Sequence, residues 1–255
     1  MADAETYDSY LVPAIFDPWS RDLIKRALVW KGDRVLDVAC GTGIVACRIA
    51  GTGAAVTGLD IDASRLERAR TRASEEAVTV KWVEGSGETL PFRQPAFDLV
   101  TCQQGLQFMT DRAKAVREMR RVIVPGGRAV LACWLPVDQQ GAFAVIDEIA
   151  ASHTGTRHAG PTHPGPFSFG DEAALTKLLV DAKFFAISIE TVTRQVRVPD
   201  PARFATMALT TVSGKPEEEL GAAIADGVQA LAPFLVDDAM QFQMKSLLAV
   251  ARVKT

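Results

Sequence analysis

The chain has 255 residues, 48% hydrophobic and 23% charged, with 28 Lys+Arg against 31 Asp+Glu for a formal net charge of −3. That apolar content excludes disorder, and the length suits one large α/β domain or one domain with an insertion. The mildly acidic balance gives no electrostatic reason to expect nucleic acid or an anionic membrane as the main partner.

No apolar run approaches the roughly 18–20 residues of a transmembrane helix. The opening residues MADAETYDSY are too acidic and polar for a secretion signal, so the expected compartment is the cytoplasm. Cys40, Cys47, Cys102 and Cys133 each lie in an apolar context without CxxC spacing, which reads as four small buried hydrophobes.

In chain order, Asp17-Pro18 opens a helix whose Trp19, Leu23, Ile24, Ala27 and Leu28 recur at helical spacing. Arg34 to Ala39 is a short apolar strand, and Gly41 to Ala50 turns into a second helix. Ala55 to Leu59 is the second strand, and Asp62 caps a helix carrying Leu66, Ala69 and Ala73 on one face. Val78 to Val83 and Phe97 to Cys102 are strands three and four. Asp111 caps a helix with Val116, Met119, Val122 and Ile123 inward; Pro125-Gly126-Gly127 forces a turn, and Arg128 to Trp134 is strand five.

The second half is less regular. Asp138 to Ser152 reads as a helix, His153 to Gly170 as a loop, Asp171 to Ala182 as a helix and Phe185 to Val198 as a strand. Asp200-Pro201 and Lys215-Pro216 each start a helix, the second with Glu217, Glu218 and Glu219 at its amino end. Alternation of Met240, Phe242 and Met244 makes Ala239 to Val253 a final strand. Strands alternating with helices imply a parallel sheet covered on both faces. Ligands of such sheets sit beyond the carboxyl ends of the strands, so the loops after strands one to four matter most.

The strongest local signal is Val35-Leu36-Asp37-Val38-Ala39-Cys40-Gly41-Thr42-Gly43, a strand running through two glycines into a helix. Glycine there permits positive φ and close approach of a ligand. Gly41-x-Gly43-x-x-Ala46 also fits the dinucleotide fingerprint, and Asp60 at the end of strand two can bond ribose hydroxyls in either kind of site. Asp37 separates the two readings. A carboxylate there repels a dinucleotide phosphate and attracts a ligand bearing an ammonium and a sulfonium; it can also bond the amides of its own loop.

Four blocks in order complete the pattern: VLDVACGTG, VTGLDID (Val56 to Asp62), EGSGETLPF (Glu84 to Phe92) with FDLV (Phe97 to Val100), and REMRRVIVPGGRAVL (Arg117 to Leu131). Over roughly residues 10 to 135 the chain resembles the class I S-adenosylmethionine-dependent methyltransferases, in their UbiE-like small-molecule group. The resemblance implies a Rossmann-like, seven-stranded, mostly parallel sheet with helices on both faces, an antiparallel last strand and a helical lid. It implies S-adenosyl-L-methionine as cofactor, S-adenosyl-L-homocysteine as product, and in-line methyl transfer to a small-molecule acceptor, with neither nucleic acid nor membrane as partner.

By the same resemblance the cofactor-binding residues are Asp37, Ala39, Gly41, Thr42, Gly43, Asp60, Ile61, Gly85, Ser86, Gly87, Glu88, Gln103 and Trp19. Asp60 takes the ribose position, Ile61 packs on adenine and Gln103 lines the methionine part. Ala39 stands where the pattern often has glycine, and Ser86 and Gly87 stand where it has Asp and Ala. Ser86 therefore offers adenine an uncharged hydroxyl.

Tyr10, Phe16 and Trp19 are placed to close over the cofactor. The expected division is a helical lid over 1–30, a cofactor core over 31–135, and a remainder over 136–255 holding a substrate-side loop (153–170) and a helical insertion (200–234). Gln107 is expected to face the methyl group or substrate. His153, His158 and His163 lie five residues apart in one loop with no interleaved carboxylate or cysteine, which fits no metal site; His158 and His163 are weak candidates for a general base. Two alternatives stay open: an NAD(P)-dependent oxidoreductase and a non-catalytic S-adenosylmethionine-binding protein.

Overall fold

The computed structural model describes residues 7–157 and 165–255. Five strands, β1 (Arg34–Val38), β2 (Ala55–Asp60), β3 (Val80–Glu84), β4 (Phe97–Gln103) and β5 (Ile123–Trp134), run parallel. The long β8 (Ala239–Arg252) inserts antiparallel between β5 and β6 (Phe185–Pro199), giving the order β3-β2-β1-β4-β5-β8-β6. A two-residue strand, β7 (Leu235–Val236), also pairs with β8 and makes the eighth strand. It is too short to leave a pattern in sequence.

Strict alternation sorts the strands' side chains. Val35, Val56, Leu99 and Val130 face α1 (Asp17–Ala27) and α2 (Ile44–Ala50). Leu36, Val100 and Leu131 face α4 (Arg112–Val122) and α6 (Glu172–Asp181). The helix α3 (Ala63–Glu75) starts where Asp62 accepts from the Ser64 and Arg65 amides at 2.9 and 3.3 Å, and α4 where Asp111 accepts from the Lys114 amide at 2.8 Å. Asp171 and Asp200 cap α6 and α7 (Pro201–Ser213) in the same way. Each cap satisfies amides the helix leaves unpaired.

The pairing of β8 with β5 ends at Trp134↔Ser246, but its pairing with β6 continues to Pro199↔Ala239. The two strands therefore rise past the carboxyl edge of the sheet as a ribbon. A second core is built on it with α5 (Ala142–Thr154), α7, α8 (Gly221–Ala230) and the N-terminal segment. Aromatic rings dominate it: Phe143 lies 4.9 Å from Phe204, 5.2 Å from Phe167 and 6.0 Å from Phe242 between centroids.

Several local expectations need correction. Helical winding begins at Tyr7 as a π-helix running to Phe16, so Asp17 caps nothing; Phe16 is already helical, and the Asp17 carboxylate binds Arg21 and Arg48 instead. Pro125-Gly126-Gly127 interrupts no strand: β5 starts at Ile123 and passes through them as a bulge, its register jumping from Phe97↔Ile123 to Leu99↔Arg128. The helix expected from Asp138 starts only at Ala142, because Gln140 turns inward to donate to the carbonyls of Leu135 and Lys245. Glu217–Glu219 form a separate 3-10 turn before α8. His153 belongs to the last turn of α5 rather than to a loop.

Candidate functional site

The strand order reverses between β1 and β4, and the loops after β1, β2, β3 and β4 gather at that switch point. The turn after β1 is made by left-handed residues, Ala39 (φ 56), Gly41 (φ 55) and Gly43 (φ 85). Two of its glycines have different reasons. A Cβ on Gly43 would lie 2.8 Å from the Trp82 ring and 3.0 Å from Ala69 Cβ, so packing excludes one. A Cβ on Gly41 would meet nothing within 4 Å, so that position faces open space and glycine serves the backbone angle.

Asp60 closes the turn from the side. It is buried; its Oδ2 accepts from the Gly41 amide at 2.7 Å and its Oδ1 from the Asp62 amide at 3.0 Å. Ile61 beside it is 72% exposed, an apolar side chain held out at the rim. The backbone of Asp60 also holds the loop after β3, its carbonyl accepting from the Gly85 amide at 2.9 Å. In that loop Ser86 Oγ accepts from the Glu88 amide at 3.1 Å, and Glu88 accepts from the Thr110 amide at 2.7 Å. Gly87 is packed so tightly that a Cβ would lie 2.6 Å from Met109 and 3.0 Å from Val38.

Asp37 is the electrostatic centre. It is fully enclosed in β1, and Thr101 of β4 donates to its Oδ1 at 2.7 Å, while its Oδ2 has no partner. Burial pushes its carboxyl up to about 7; the Thr101 bond opposes this and the Asp60 charge adds to it. The Thr101 bond from the neighbouring strand is a partner that the sequence alone does not reveal. Gln103, at the end of β4, donates to the Phe16 carbonyl at 3.1 Å and keeps a buried Oε1 without a partner. Two unpartnered acceptor oxygens thus lie at the carboxyl-terminal half of the two strands that flank the switch point.

Other expected residues sit elsewhere. Gln107 is completely buried: its Oε1 accepts from the Trp134 amide at 3.1 Å and its Nε2 donates to the Pro166 carbonyl. With both ends of the amide used, it ties two backbone segments together and does not face a substrate. Trp19 is completely buried, edge-on to Trp134 at 5.1 Å, with its Nε1 unpartnered, so it packs the second core. Tyr10 is also buried there, its hydroxyl directed at the carbonyls of Pro199 and Asp200. His153 pairs with Asp226 at 2.8 Å on the surface, and His158 and His163 lie outside the described residues. Burial pushes all four cysteine thiols up, so none is poised as a thiolate.

Thr42, read as a cofactor residue, brings in partners that sequence alone does not reveal. Its hydroxyl donates to Asp8 at 2.6 Å, and that buried carboxylate also accepts from Arg68 at 2.7 Å and from Arg72. The N-terminal π-helix is thereby fastened to the glycine turn by Asp8, to the end of β4 at Phe16 and to the end of β6 by Tyr10. It crosses the carboxyl edge of the sheet. Two cavities of about 390 and 460 Å³, one lined by Gly126, Phe185 and Arg252 and the other by Arg34, Ala55 and Phe97, open at the opposite edge.

Comparison with known proteins bears on this edge. The family described as methyltransferase domain matches residues 36–131. The ubiquinone/menaquinone biosynthesis C-methyltransferase UbiE of Xylella fastidiosa (strain M12) is 43% identical over 117 residues, covering 44% of this chain and 46% of the relative. The chain thus spans about half the length of the curated relatives it matches. Among solved structures, YcgJ of Bacillus subtilis aligns with a TM-score of 0.63 at 21% identity, over 92% of this chain and 98% of that one. Phosphoethanolamine N-methyltransferase 2 of Haemonchus contortus, in complex with S-adenosyl-L-methionine, aligns with a TM-score of 0.61 at 18% identity, over 93% and 53%. At such identities the structural likeness establishes the fold alone.

Proposed function

We propose that the chain is a class I S-adenosylmethionine-dependent methyltransferase of the UbiE-like group, and that it transfers a methyl group from S-adenosylmethionine to a small organic acceptor. The observation that carries the reading is the pair of buried carboxylates at the glycine turn. Asp60 is held against the Gly41 amide, and Asp37 keeps one oxygen without a protein partner. The NAD(P)-dependent alternative has no support in the matches described above.

The residues present fit this cofactor. Asp60 would receive the ribose hydroxyls, and Ile61 would cover one face of adenine. Ser86 and the Gly87 amide would meet the edge of the base. Gln103 and Asp37 would offer their free oxygens to the cationic methionine end, and Gly41 leaves room for close approach. Ala39, Thr42, Gly43, Gly85 and Glu88 shape and hold these loops. When bound, S-adenosylmethionine supplies a methyl group already activated on a sulfonium.

The chain then has two tasks, to align donor with acceptor and to keep water out. In this reading the N-terminal segment (1–30) is the lid, 31–135 the cofactor core, and 136–255 the acceptor side, with the aromatic second core as its scaffold. Four buried free thiols suit a reducing compartment, and the cytoplasm is part of the proposal.

Thermal unfolding with S-adenosylhomocysteine, beside NADH and NADPH, tests it. A ligand at about a hundred times its Kd stabilises by roughly 2.7 kcal/mol, a shift of roughly 5–10 °C for a domain of this size. The expected result is a shift with S-adenosylhomocysteine only. A shift with a nicotinamide only would overturn the reading, and binding with no turnover on any acceptor would leave a cofactor-binding protein without catalysis.

A further inference from the structure

The segment Arg117 to Leu131 enters the reading above only as a family signature, yet two of its side chains have a defined task in the fold. Glu118 and Arg121 lie one turn apart on α4. Arg121 donates from Nε and Nη2 to the two carboxylate oxygens of Glu118, both at 2.7 Å. Each member of this bidentate pair also reaches the same stretch of backbone. The Leu90 amide donates to Glu118 Oε2 at 2.9 Å, and Arg121 donates to the Leu90 carbonyl at 3.2 Å and to the Phe92 carbonyl at 2.5 Å. The Arg121 bond holds the Glu118 carboxyl below its ordinary range, so the pair stays charged at neutral pH.

This stretch is the far end of the loop that starts at Gly85. The loop is fixed at three places: at its start by the Gly85 amide on the Asp60 carbonyl, in the middle by Glu88 on the Thr110 amide, and at its end by the Glu118–Arg121 pair. Leu90 is buried, and the Phe92 ring stands edge-on to Phe97 at 4.9 Å. Between the fixed points lie Ser86 and Gly87, next to Asp60 and the exposed Ile61. An ordinary surface ion pair holds two side chains; this one holds three backbone groups, and through them the placement of a loop whose own side chains are small.

We infer that Glu118 and Arg121 are positioning residues for cofactor recognition: by fixing Leu90 and Phe92 they set Ser86 and the Gly87 amide against the edge of the adenine ring. The inference rests on the methyltransferase reading and deepens it. Neither residue touches the cofactor. Their effect is on how tightly, and how selectively, the base is held. The ring nitrogen that would meet the Gly87 amide is an acceptor in adenine and carries a hydrogen in hypoxanthine, so a correctly placed amide prefers the first.

Calorimetric titration of the full chain with S-adenosylhomocysteine and with S-inosylhomocysteine tests this. The wild-type protein should prefer the adenosyl compound. Arg121→Met should bind it about tenfold more weakly and lose most of the preference, and Arg121→Lys, which keeps the charge but places its donors on a single nitrogen, should recover part of both. In steady state Arg121→Met should raise KM for S-adenosylmethionine while kcat at saturation stays within about twofold.

Unchanged affinity and preference in Arg121→Met would overturn the inference, as would an equal loss for both ligands, which marks a structural role only. If Arg121→Met does not fold, the isosteric Glu118→Gln decides: a loss of about threefold with a reduced preference is expected, and no change in preference refutes it. A wild-type protein that binds neither compound would refute the methyltransferase reading itself, a result distinct from any of these.

Discussion

Replacing Asp37 with Asn should stabilise the ligand-free protein above neutral pH and weaken its hold on S-adenosylmethionine. The Asp37 carboxyl is completely enclosed, bonded by Thr101 at one oxygen and unpartnered at the other, and burial raises it from 3.8 to about 7. A carboxyl with a raised folded value binds its proton more tightly in the fold than in the unfolded chain. Below pH 3.8 both states are protonated and the group costs nothing. Between 3.8 and about 7 the unfolded chain ionises first, and folding loses about 1.4 kcal/mol per pH unit. Above about 7 the loss levels off at about 4 kcal/mol.

Asn removes that penalty. It still accepts from Thr101, but its buried amide hydrogens find no acceptor there, which returns about 1–2 kcal/mol. The expected net gain at pH 8 is therefore about 2–3 kcal/mol, shrinking to none or a small loss at pH 4. Urea unfolding of both proteins at several pH values between 4 and 8 reads it. Calorimetry should then show S-adenosylmethionine bound at least tenfold more weakly by Asp37→Asn. The loss should be smaller for S-adenosylhomocysteine, whose sulfur is uncharged. Parallel stability curves for the two proteins, or equal affinity for the sulfonium ligand, would refute the argument that this carboxylate is kept in the core for a cation.

Three further substitutions probe the edge of the sheet. Asp8→Asn removes the charge from a buried carboxylate that accepts from Thr42, Arg68 and Arg72, and should cost about 3 kcal/mol in urea unfolding; a cost under about 0.5 kcal/mol would show that the N-terminal π-helix is not fastened there. Gln107→Ala leaves the Trp134 amide and the Pro166 carbonyl unpaired and should cost about 2–3 kcal/mol, with KM for the acceptor unchanged once folded; a selective rise in that KM would return Gln107 to the substrate. Ser86→Asp supplies the charged acceptor that the family pattern carries and should tighten S-adenosylhomocysteine binding about threefold to tenfold by calorimetry; weaker binding would place Ser86 away from the adenine edge.

What sequence could and could not show follows from the range of the interactions. Asp62, Asp111, Asp171 and Asp200 were readable as helix starts because a cap bonds amides two or three residues on. Asp17 looked the same in sequence, but its carboxylate is taken by Arg48, across the fold. Alternation along Met240–Met244 marked the last strand, because a strand repeats every two residues, while Arg34 to Ala39 read as a short apolar strand buried on both faces. Gln107 carries no such signal: its partners Pro166 and Trp134 are remote in sequence, and an amide enclosed by them looks the same on paper as an amide facing a ligand. Asp8 likewise stands in sequence among acidic and polar opening residues, and only the fold brings Arg68 and Arg72 around its carboxylate.

The same contrast divides the molecule's chemistry. The carboxyl edge of the sheet, the proposed cofactor site, is assembled from loops that leave its strands, so its glycines and carboxylates keep fixed offsets from elements that sequence patterning reveals. The second core, the proposed acceptor side, stands on the part of β8 and β6 that outruns β5, from Thr193↔Lys245 to Pro199↔Ala239, and on rings brought to it by four separate segments. Phe143, Phe167, Phe204, Phe234 and Phe242 meet only because the ribbon rises where it does; no spacing along the chain links them. A family match over residues 36–131 therefore covers the part whose geometry is local. On the proposed reading, choice of acceptor would fall to the part whose geometry is not, and changes of substrate among chains with this core are expected to appear there first.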